Sequence, residues 1–195
     1  MSKSYSIKDE KLISNAWGKL SNVTYEITDD DGSIDARTAE VYHRGNAVAV
    51  LLYNKSTGTV ILTRQFRIAT VFNGNISGML TEVCAGMIDG AASPDETVRR
   101  EIEEETGYRL TDVTPVMRLF MTPGALTEML HFYVAAYSPA QKKSTGGGLA
   151  EEGEHIELLE LPYSEAMAMV ERGEIIDAKT VILLQYAGLH GLLSR

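Results

Sequence analysis

Residues Ser93 to Gly107 carry a complete set of helix start and stop signals, and no other segment constrains the fold as much. Ser93 suits the N-cap, Pro94 the first helical position, and Glu96 closes a capping box with Ser93. Gly107 supplies the left-handed residue that ends a helix. The spacing predicts a helix over 94–106, the longest in the chain. Val98 and Ile102 stand four apart and face a core. Glu101, Glu104 and Glu105 are related by three and four residues and share one face. Glu103 points elsewhere, toward Arg99 and solvent.

That acidic face costs energy. Side chains at these spacings lie ~5–6 Å apart. Two unit charges there repel by roughly 1 kcal/mol in water and about 3 kcal/mol at an effective dielectric of 20. The three groups also lie in the C-terminal half of the helix, where the dipole disfavours negative charge. From the residues alone two readings stay open. One is a solvated acidic face. The other is a site for hard divalent cations, which take oxygen ligands and cancel the repulsion.

Around this helix the chain reads mostly as strands. Ser21 to Ile27 alternates, Asp30-Asp31-Gly32 is a turn signal, and Ile34 to Tyr42 continues as a second strand, giving an N-terminal antiparallel β unit. Ala47 to Tyr53 is a continuous apolar run, expected as a buried strand. Lys55 to Gly58 reads as a hairpin turn into a strand over 59–66. A Gly-rich loop around Gly74 leads to one strand over 79–88. Strands follow near 113–121, 129–137 and 156–161, and helices near 164–172 and 179–190. The last helix offers Val181, Leu183, Leu184, Tyr186 and Leu189 as a packed face. Residues 138–154 show no periodicity and contain Gly146-Gly147-Gly148, and they are expected as a structureless loop. The class is α/β (α+β), a mixed sheet with helices packed on it.

The 195 residues are enough to bury a substantial core. Lys and Arg number 18 against 27 Asp and Glu, a net charge of −9. This balance argues against nucleic-acid or anionic-membrane binding. It also means that an anionic substrate needs a local basic group or a metal ion. Cys84 is the single cysteine and sits in an apolar stretch, so packing is expected rather than a disulfide or zinc site. The four histidines lack metal-ligand spacing. The polar start Met1-Ser2-Lys3-Ser4 lacks a signal-peptide core, and no apolar run approaches the ~18 residues of a membrane span. A cytoplasmic protein is expected.

Gly86-Met87-Ile88-Asp89-Gly90-Ala91-Ala92, followed by Arg100-Glu101-Ile102-Glu103-Glu104-Glu105-Thr106-Gly107-Tyr108, resembles the Nudix box. The pattern is G-x5-E-x7-R-E-U-x-E-E-x-G-U, with U bulky and apolar. Every defined position fits except the first Glu, where Ala92 stands. Glu96, four residues before Arg100, is expected to support that Arg in its place. The resemblance implies a loop-helix-loop on a Nudix α/β/α sandwich, and hydrolysis of a nucleoside diphosphate linked to another group. It divides the chain into a β unit over 1–44, expected to form a dimer, and a hydrolase domain over 45–195.

The remaining sequence is similar to the branch that cleaves ADP-ribose and GDP-mannose. The similarity lies in Arg64-Gln65-Phe66-Arg67, Thr81-Glu82-Val83-Cys84-Ala85-Gly86, Thr122-Pro123-Gly124, Thr127-Glu128 and the acidic loop Glu151-Glu152-Gly153-Glu154. Glu40-Val41-Tyr42, Arg44-Gly45-Asn46, the triple Gly and Ala178-Lys179-Thr180 favour GDP-mannose, cleaved to GMP and mannose 1-phosphate. ADP-ribose cleavage and a sensor that binds a nucleotide sugar without cleaving it remain the alternatives.

The resemblance implies Mg2+, with Mn2+ as a substitute, bound by Glu101 and Glu105 with Glu104 assisting. The carbonyl of Ala85 is a further ligand. Glu152 or Glu154 matches the family's mobile-loop Glu, which contacts metal or the attacking water. The neighbouring glycines suit a segment that moves. Arg67 is expected on the diphosphate or base, with Ala85, Gly86 and Met87 beside the substrate. Arg37, Glu40, Glu128 and Lys179 are further expected contacts, although each also reads as a surface charge. Trp17 stands where the family often has an aromatic that stacks on the base, and it reads equally as a core or dimer contact. The expected assembly is a homodimer that exchanges its N-terminal units.

Overall fold

A computed structural model describes residues 4–149, 151 and 153–193. Contacts divide the chain into two units, one within Met1–Asn46 and Phe120–Met129, the other within Ala47–Leu119 and Leu130–Arg195.

The first unit is an antiparallel three-stranded sheet of β1 (Ser4–Asn15), β2 (Lys19–Thr28) and β3 (Ile34–His43), in that order. The turn at Asp29 to Ser33 forms as the sequence predicts, closed by Gly32 N–H donating to Asp29 O at 2.9 Å. Strand β1 was not among the expected strands. All twelve of its residues are exposed, so no inside-outside alternation is written into it. Two register shifts, at Ile7/Asp9 and Leu12/Ser14, break the period further. Tyr42 at the end of β3 clasps the segment 122–129, donating to Ala125 O at 2.8 Å and accepting from Thr127 N–H at 3.1 Å.

The second unit begins with β4 (Ala47–Asn54) and β5 (Thr59–Phe66), a short turn of helix α1 (Ile68–Val71), β6 (Met79–Glu82) and β7 (Cys84–Met87). Helix α2 (Pro94–Glu101) runs into a π-helical turn over Ile102–Thr106. Strands β8 (Thr114–Phe120), β9 (Met129–Ala136) and β10 (Glu157–Pro162) follow, then helices α3 (Tyr163–Glu171) and α4 (Ala178–Leu189). The sheet runs β10-β5-β4-β9-β8, with β6 on β5 and β7 on β4. It is mixed, because β4 pairs with β9 in parallel and with β5 and β7 antiparallel. No helix among the described residues is long and apolar enough to cross a membrane.

One feature of this sheet positions the site. Strands β4 and β5 pair only near their turn, from Leu52↔Ile61 to Asn54↔Thr59, and then splay. The segment 79–87 fills the fork. Its first half pairs with β5 (Thr63↔Glu82), its second with β4 (Ala49↔Ala85). The single strand expected over 79–88 is therefore two, broken where the partner changes at Val83. The Val83 N–H leaves the ladder and donates to Thr180 Oγ1 of α4 at 2.8 Å.

Val98 and Ile102 of the acidic helix enter a core with Val48, Val50, Leu52, Ile61, Cys84 and Tyr133. Since strand residues alternate, Ala49 and Leu51 face the other side, and α4 also packs on β4. In α4 the buried positions are Thr180, Leu183, Leu184 and Ala187, while Leu189 is exposed. The described residues between 138 and 149 are far from structureless. A capped 3-10 turn occupies Pro139–Gln141, and Lys143 and Ser144 donate to Gly107 O at 2.7 and 3.3 Å.

The N-cap is as read from the sequence: Ser93 accepts from Glu96 N–H, and the Glu96 carboxylate accepts from Ser93 N–H and Oγ–H. Ser93→Ala removes the two bonds made by the hydroxyl and keeps the backbone N–H to Glu96. It is expected to cost about 1 kcal/mol and lower the melting temperature by about 2–4 °C, measured by circular dichroism.

Candidate active site

Glu101 and Glu105 lie at the seam between α2 and its π-helical last turn, and both are buried, with 9% and 2% of their surface exposed. The core contacts of Val98 and Ile102 fix the rotation of the helix, and that rotation turns these carboxylates inward toward β7. Glu105 accepts the Ala85 N–H at 3.3 Å and is bonded by the Cys84 thiol. Glu101 lies directly on Gly86, where an added Cβ would overlap its carboxylate. Only glycine permits this approach.

Burial pushes the Glu101 carboxyl up to about 7; Arg100 opposes this, while Glu104, Glu154 and Asp89 add to it. Burial pushes Glu105 up to about 8, against the Cys84 bond and with the charges of Glu101 and Glu154. Loss of water and crowding by like charge both favour the protonated forms.

Arg100 holds the outer side of the cluster. It donates to Glu101 and Glu104 at 2.7 Å each and stands 3.6 Å from Asp89. The expected Glu96–Arg100 pair does not form, because the capping box with Ser93 engages the Glu96 carboxylate. Glu103 pairs with Arg109 rather than lying near Arg99. Arg99 donates instead to the carbonyls of Thr111 and Asp95.

Gly146 to Gly148 lie against the end of this helix. Gly147 N–H donates to Glu105 O at 2.8 Å and Gly148 N–H to Glu104 O at 3.2 Å. The same loop brings Glu154 into the field of Glu101 and Glu105, and Leu149 N–H donates to its Oε2 at 3.1 Å. Gly146 and Gly148 sit too close to the helix end and to Glu154 to carry a Cβ without a clash. Glu152, the other candidate, lies outside the described residues.

A second cluster pairs two cations with two carboxylates. Arg67 Nε donates to Glu82 at 2.7 Å, and Lys179 bonds the same carboxylate and, at 2.9 Å, Asp177. Glu82 is almost fully buried and joins two cations 112 positions apart (179 − 67). The sequence reading passed over it, although a carboxylate at the head of the apolar run Val83-Cys84-Ala85 was the available signal. No described residue bonds the terminal amino groups of Arg67, which is partly exposed. Met87 is half-buried at the end of β7.

The other candidates belong to the first unit. The Trp17 ring is exposed, with Arg44 over it at 4.7 Å, and Arg44 pairs with Glu128 at 3.1 Å. Arg37 pairs with Asp35 at 2.6 Å, and Glu40 is exposed on β3 opposite Asn22.

The donor set suits a hard cation. Among the described residues no three His, Cys, Asp or Glu side chains form a ready cage. Mg2+ does not require one, since it keeps several waters and takes one or two carboxylates plus substrate phosphates. The buried Glu101–Glu105 pair supplies such carboxylates, and its mutual repulsion is what a cation relieves.

An acidic helix set beside the forked strand of a mixed sheet is the arrangement of a Nudix hydrolase. A model of the NUDIX domain matches residues 43–184, and a model of the GDP-mannose pyrophosphatase NudK N-terminal domain matches residues 5–42. The chain belongs to the Nudix family, whose members generally need divalent metal ions such as Mg2+. It is 52% identical over 188 residues to a GDP-mannose pyrophosphatase of Klebsiella pneumoniae subsp. pneumoniae, covering 96% of this chain and 93% of that one. It is 45% identical over 193 residues to a GDP-mannose pyrophosphatase of Escherichia coli O1:K1, covering 99% and 100%. A crystal structure of an ADP compounds hydrolase matches with a TM-score of 0.71 at 22% identity, over 96% of this chain and 95% of that one. This last likeness bears on the fold.

The raised carboxyls set a sign for stability. The folded, metal-free chain holds protons on this pair that the unfolded chain has released above about 4.5. Stability therefore falls as pH rises from about 4.5 through about 8. In EDTA the wild type is expected to lose melting temperature across that window, and Glu105→Gln to lose less. Equal slopes in thermal melts would show that the pair ionises without cost.

Proposed function

We propose that this chain hydrolyses the diphosphate bridge of GDP-mannose, giving GMP and mannose 1-phosphate. The observation that carries this reading is the buried Glu101–Glu105 pair faced by Glu154 on a separate loop. The naming of relatives at 45–52% identity as GDP-mannose pyrophosphatases supports the choice of substrate.

In this reading Glu101 and Glu105, with Glu104 and the Ala85 carbonyl, would hold Mg2+, or Mn2+ in its place. Such an ion would supply the positive charge that offsets the repulsion of the diphosphate by an acidic protein and by the attacking oxygen. Glu154 accepts a proton from water as its oxygen attacks one phosphorus, and the P–O bond of the bridge breaks toward the other phosphate. The Leu149 N–H on Oε2 leaves the second carboxylate oxygen for that proton. Glu104 is held in the Arg100 clamp and assists in binding. Arg67 offers its two terminal amino groups to a phosphate in the paired geometry that suits a guanidinium, and Lys179 adds charge beside it. The backbone of Ala85, Gly86 and Met87 contacts the substrate at the edge of β7. Trp17, Arg37, Glu40 and Glu128 are proposed as contacts to the base and sugar.

The proposal includes a homodimer that exchanges its N-terminal β units. Tyr5, Ile7, Leu12, Ile13 and Ile34 are exposed apolar side chains on that sheet and support an interface there. Light scattering is expected to give twice the chain mass of 21.4 kDa. A monomer at micromolar concentration would remove this part of the proposal.

Product chromatography tests the reaction. GDP-mannose and ADP-ribose are each incubated with the protein, with Mg2+ and with EDTA. GMP and mannose 1-phosphate are expected with Mg2+ alone, with GDP-mannose the better substrate. Glu105→Gln is expected to lower the rate by on the order of 10²–10³-fold. Cleavage that survives EDTA or Glu105→Gln would refute the metal site, and preference for ADP-ribose would move the substrate.

A further inference from the structure

We propose that Gly146-Gly147-Gly148 is a positioning strap, which sets Glu154 against the Glu101–Glu105 pair by hydrogen bonds to the main chain of the acidic helix itself. The proposal rests on the reading of Glu154 given above.

The geometry starts at the π-helical turn. The last carbonyls of a helix lack partners within it. The strap supplies them: Gly147 N–H takes Glu105 O, Gly148 N–H takes Glu104 O, and Lys143 and Ser144 take Gly107 O. The strap then turns back on itself. Ile156 N–H donates to Gly147 O at 3.1 Å, Glu154 N–H to Leu149 O at 3.2 Å, and Leu149 N–H to Glu154 Oε2. Every link from the helix to the Glu154 carboxylate is thus a hydrogen bond of one short segment. The carbonyls that anchor it belong to Glu104 and Glu105, whose side chains form the acidic face.

Each glycine is required by this path. Their φ angles are 68°, 110° and 79°, in the left-handed region that side chains disfavour. A Cβ on Gly146 would overlap the Glu105 carbonyl, and one on Gly148 would lie 2.6 Å from Glu154 Oε2, 2.8 Å from Glu154 Cβ and 3.0 Å from Ile156 Cδ1. Gly153, at the loop tip, also has positive φ but has open space around it. A hinge needs that freedom, and Gly146 and Gly148 lack it. The Gly148 clash falls on Glu154 at both its carboxylate and its Cβ, so Gly148→Ala displaces that whole side chain.

The test is a double-mutant cycle on GDP-mannose hydrolysis with Gly148→Ala, Glu154→Gln and both together. Gly58→Ala is the strain control, since its φ of 68° is similar and nothing lies near its Cβ. Gly148→Ala is expected to lower kcat by about 10²-fold, the loss typical of a small misplacement, with KM little changed and a cooperative melt at or below that of Gly58→Ala. The double variant is expected to match Glu154→Gln within about 2-fold. If the two losses multiply, the strap does not act through Glu154 and the inference fails. An unchanged kcat in Glu154→Gln instead overturns the reading of Glu154 as base, and the inference with it. Hydrogen exchange on metal-free wild type gives a readout independent of activity and of any variant. The Gly147 and Gly148 amides are expected to be protected, and exchange at free-loop rates would overturn the strap.

Discussion

Two carboxylates that repel each other are held together in a nearly dry place, and much of the second unit is arranged to keep them there. Glu101 and Glu105 cannot separate, because Val98 and Ile102 on the same helix are locked into the core. Burying each of those apolar side chains stabilises the helix by roughly 1.5–3 kcal/mol. That is comparable to the about 3 kcal/mol by which two close charges repel at intermediate dielectric. The core therefore suffices to hold the pair in place while leaving it strained enough to favour a cation or protons. The net charge of −9 deepens the same bias.

Three departures from regular secondary structure converge on that pair. The strand over 79–87 changes partners at Val83, which sets Ala85 N–H on Glu105 and Gly86 under Glu101. The helix widens into a π-turn where the carboxylates sit. The glycine strap covers the end of that turn and carries Glu154. Each departure uses a main-chain group to fix a side chain, and main-chain groups are less mobile than the long side chains they hold.

The limits of sequence legibility follow from the same physics. The helix over 94–106, its cap, its stop at Gly107 and its core positions were readable because capping chemistry and the 3.6 period are local. Buried β4 was readable as an unbroken apolar run. Strand β1 was not, since a fully exposed strand with two register shifts leaves no pattern. The break at Val83 was invisible because it depends on Thr180, 97 residues away. The segment over 138–149 lacked periodicity because its order comes from backbone N–H groups donating to helix carbonyls, which any residue but proline can supply. Within it the triple Gly was visible, but its spacing cannot separate a hinge from a close approach. Glu82 went unassigned for a related reason: its two cations arrive from β5 and α4, and only the fold brings them together.

Ala92 shows how such a cluster tolerates a missing member. In the box pattern a carboxylate stands there, and the sequence suggested Glu96 as its replacement for Arg100. The structure directs Glu96 back to Ser93, and that choice is local: the capping box satisfies helix N–H groups with no other partner. Arg100 is not left short. Glu101 and Glu104 each take one of its terminal amino groups at 2.7 Å, and Asp89 stands at 3.6 Å on the open side. A guanidinium already shared by three carboxylates gains little from a fourth at position 92, which is exposed to solvent and where an ion pair is worth little. The constraint that matters is Arg100 on Glu101. Among the described residues that contact is the one positive charge bonded to the buried pair, and it holds Glu101 on Gly86 against the repulsion of Glu104 and Glu154.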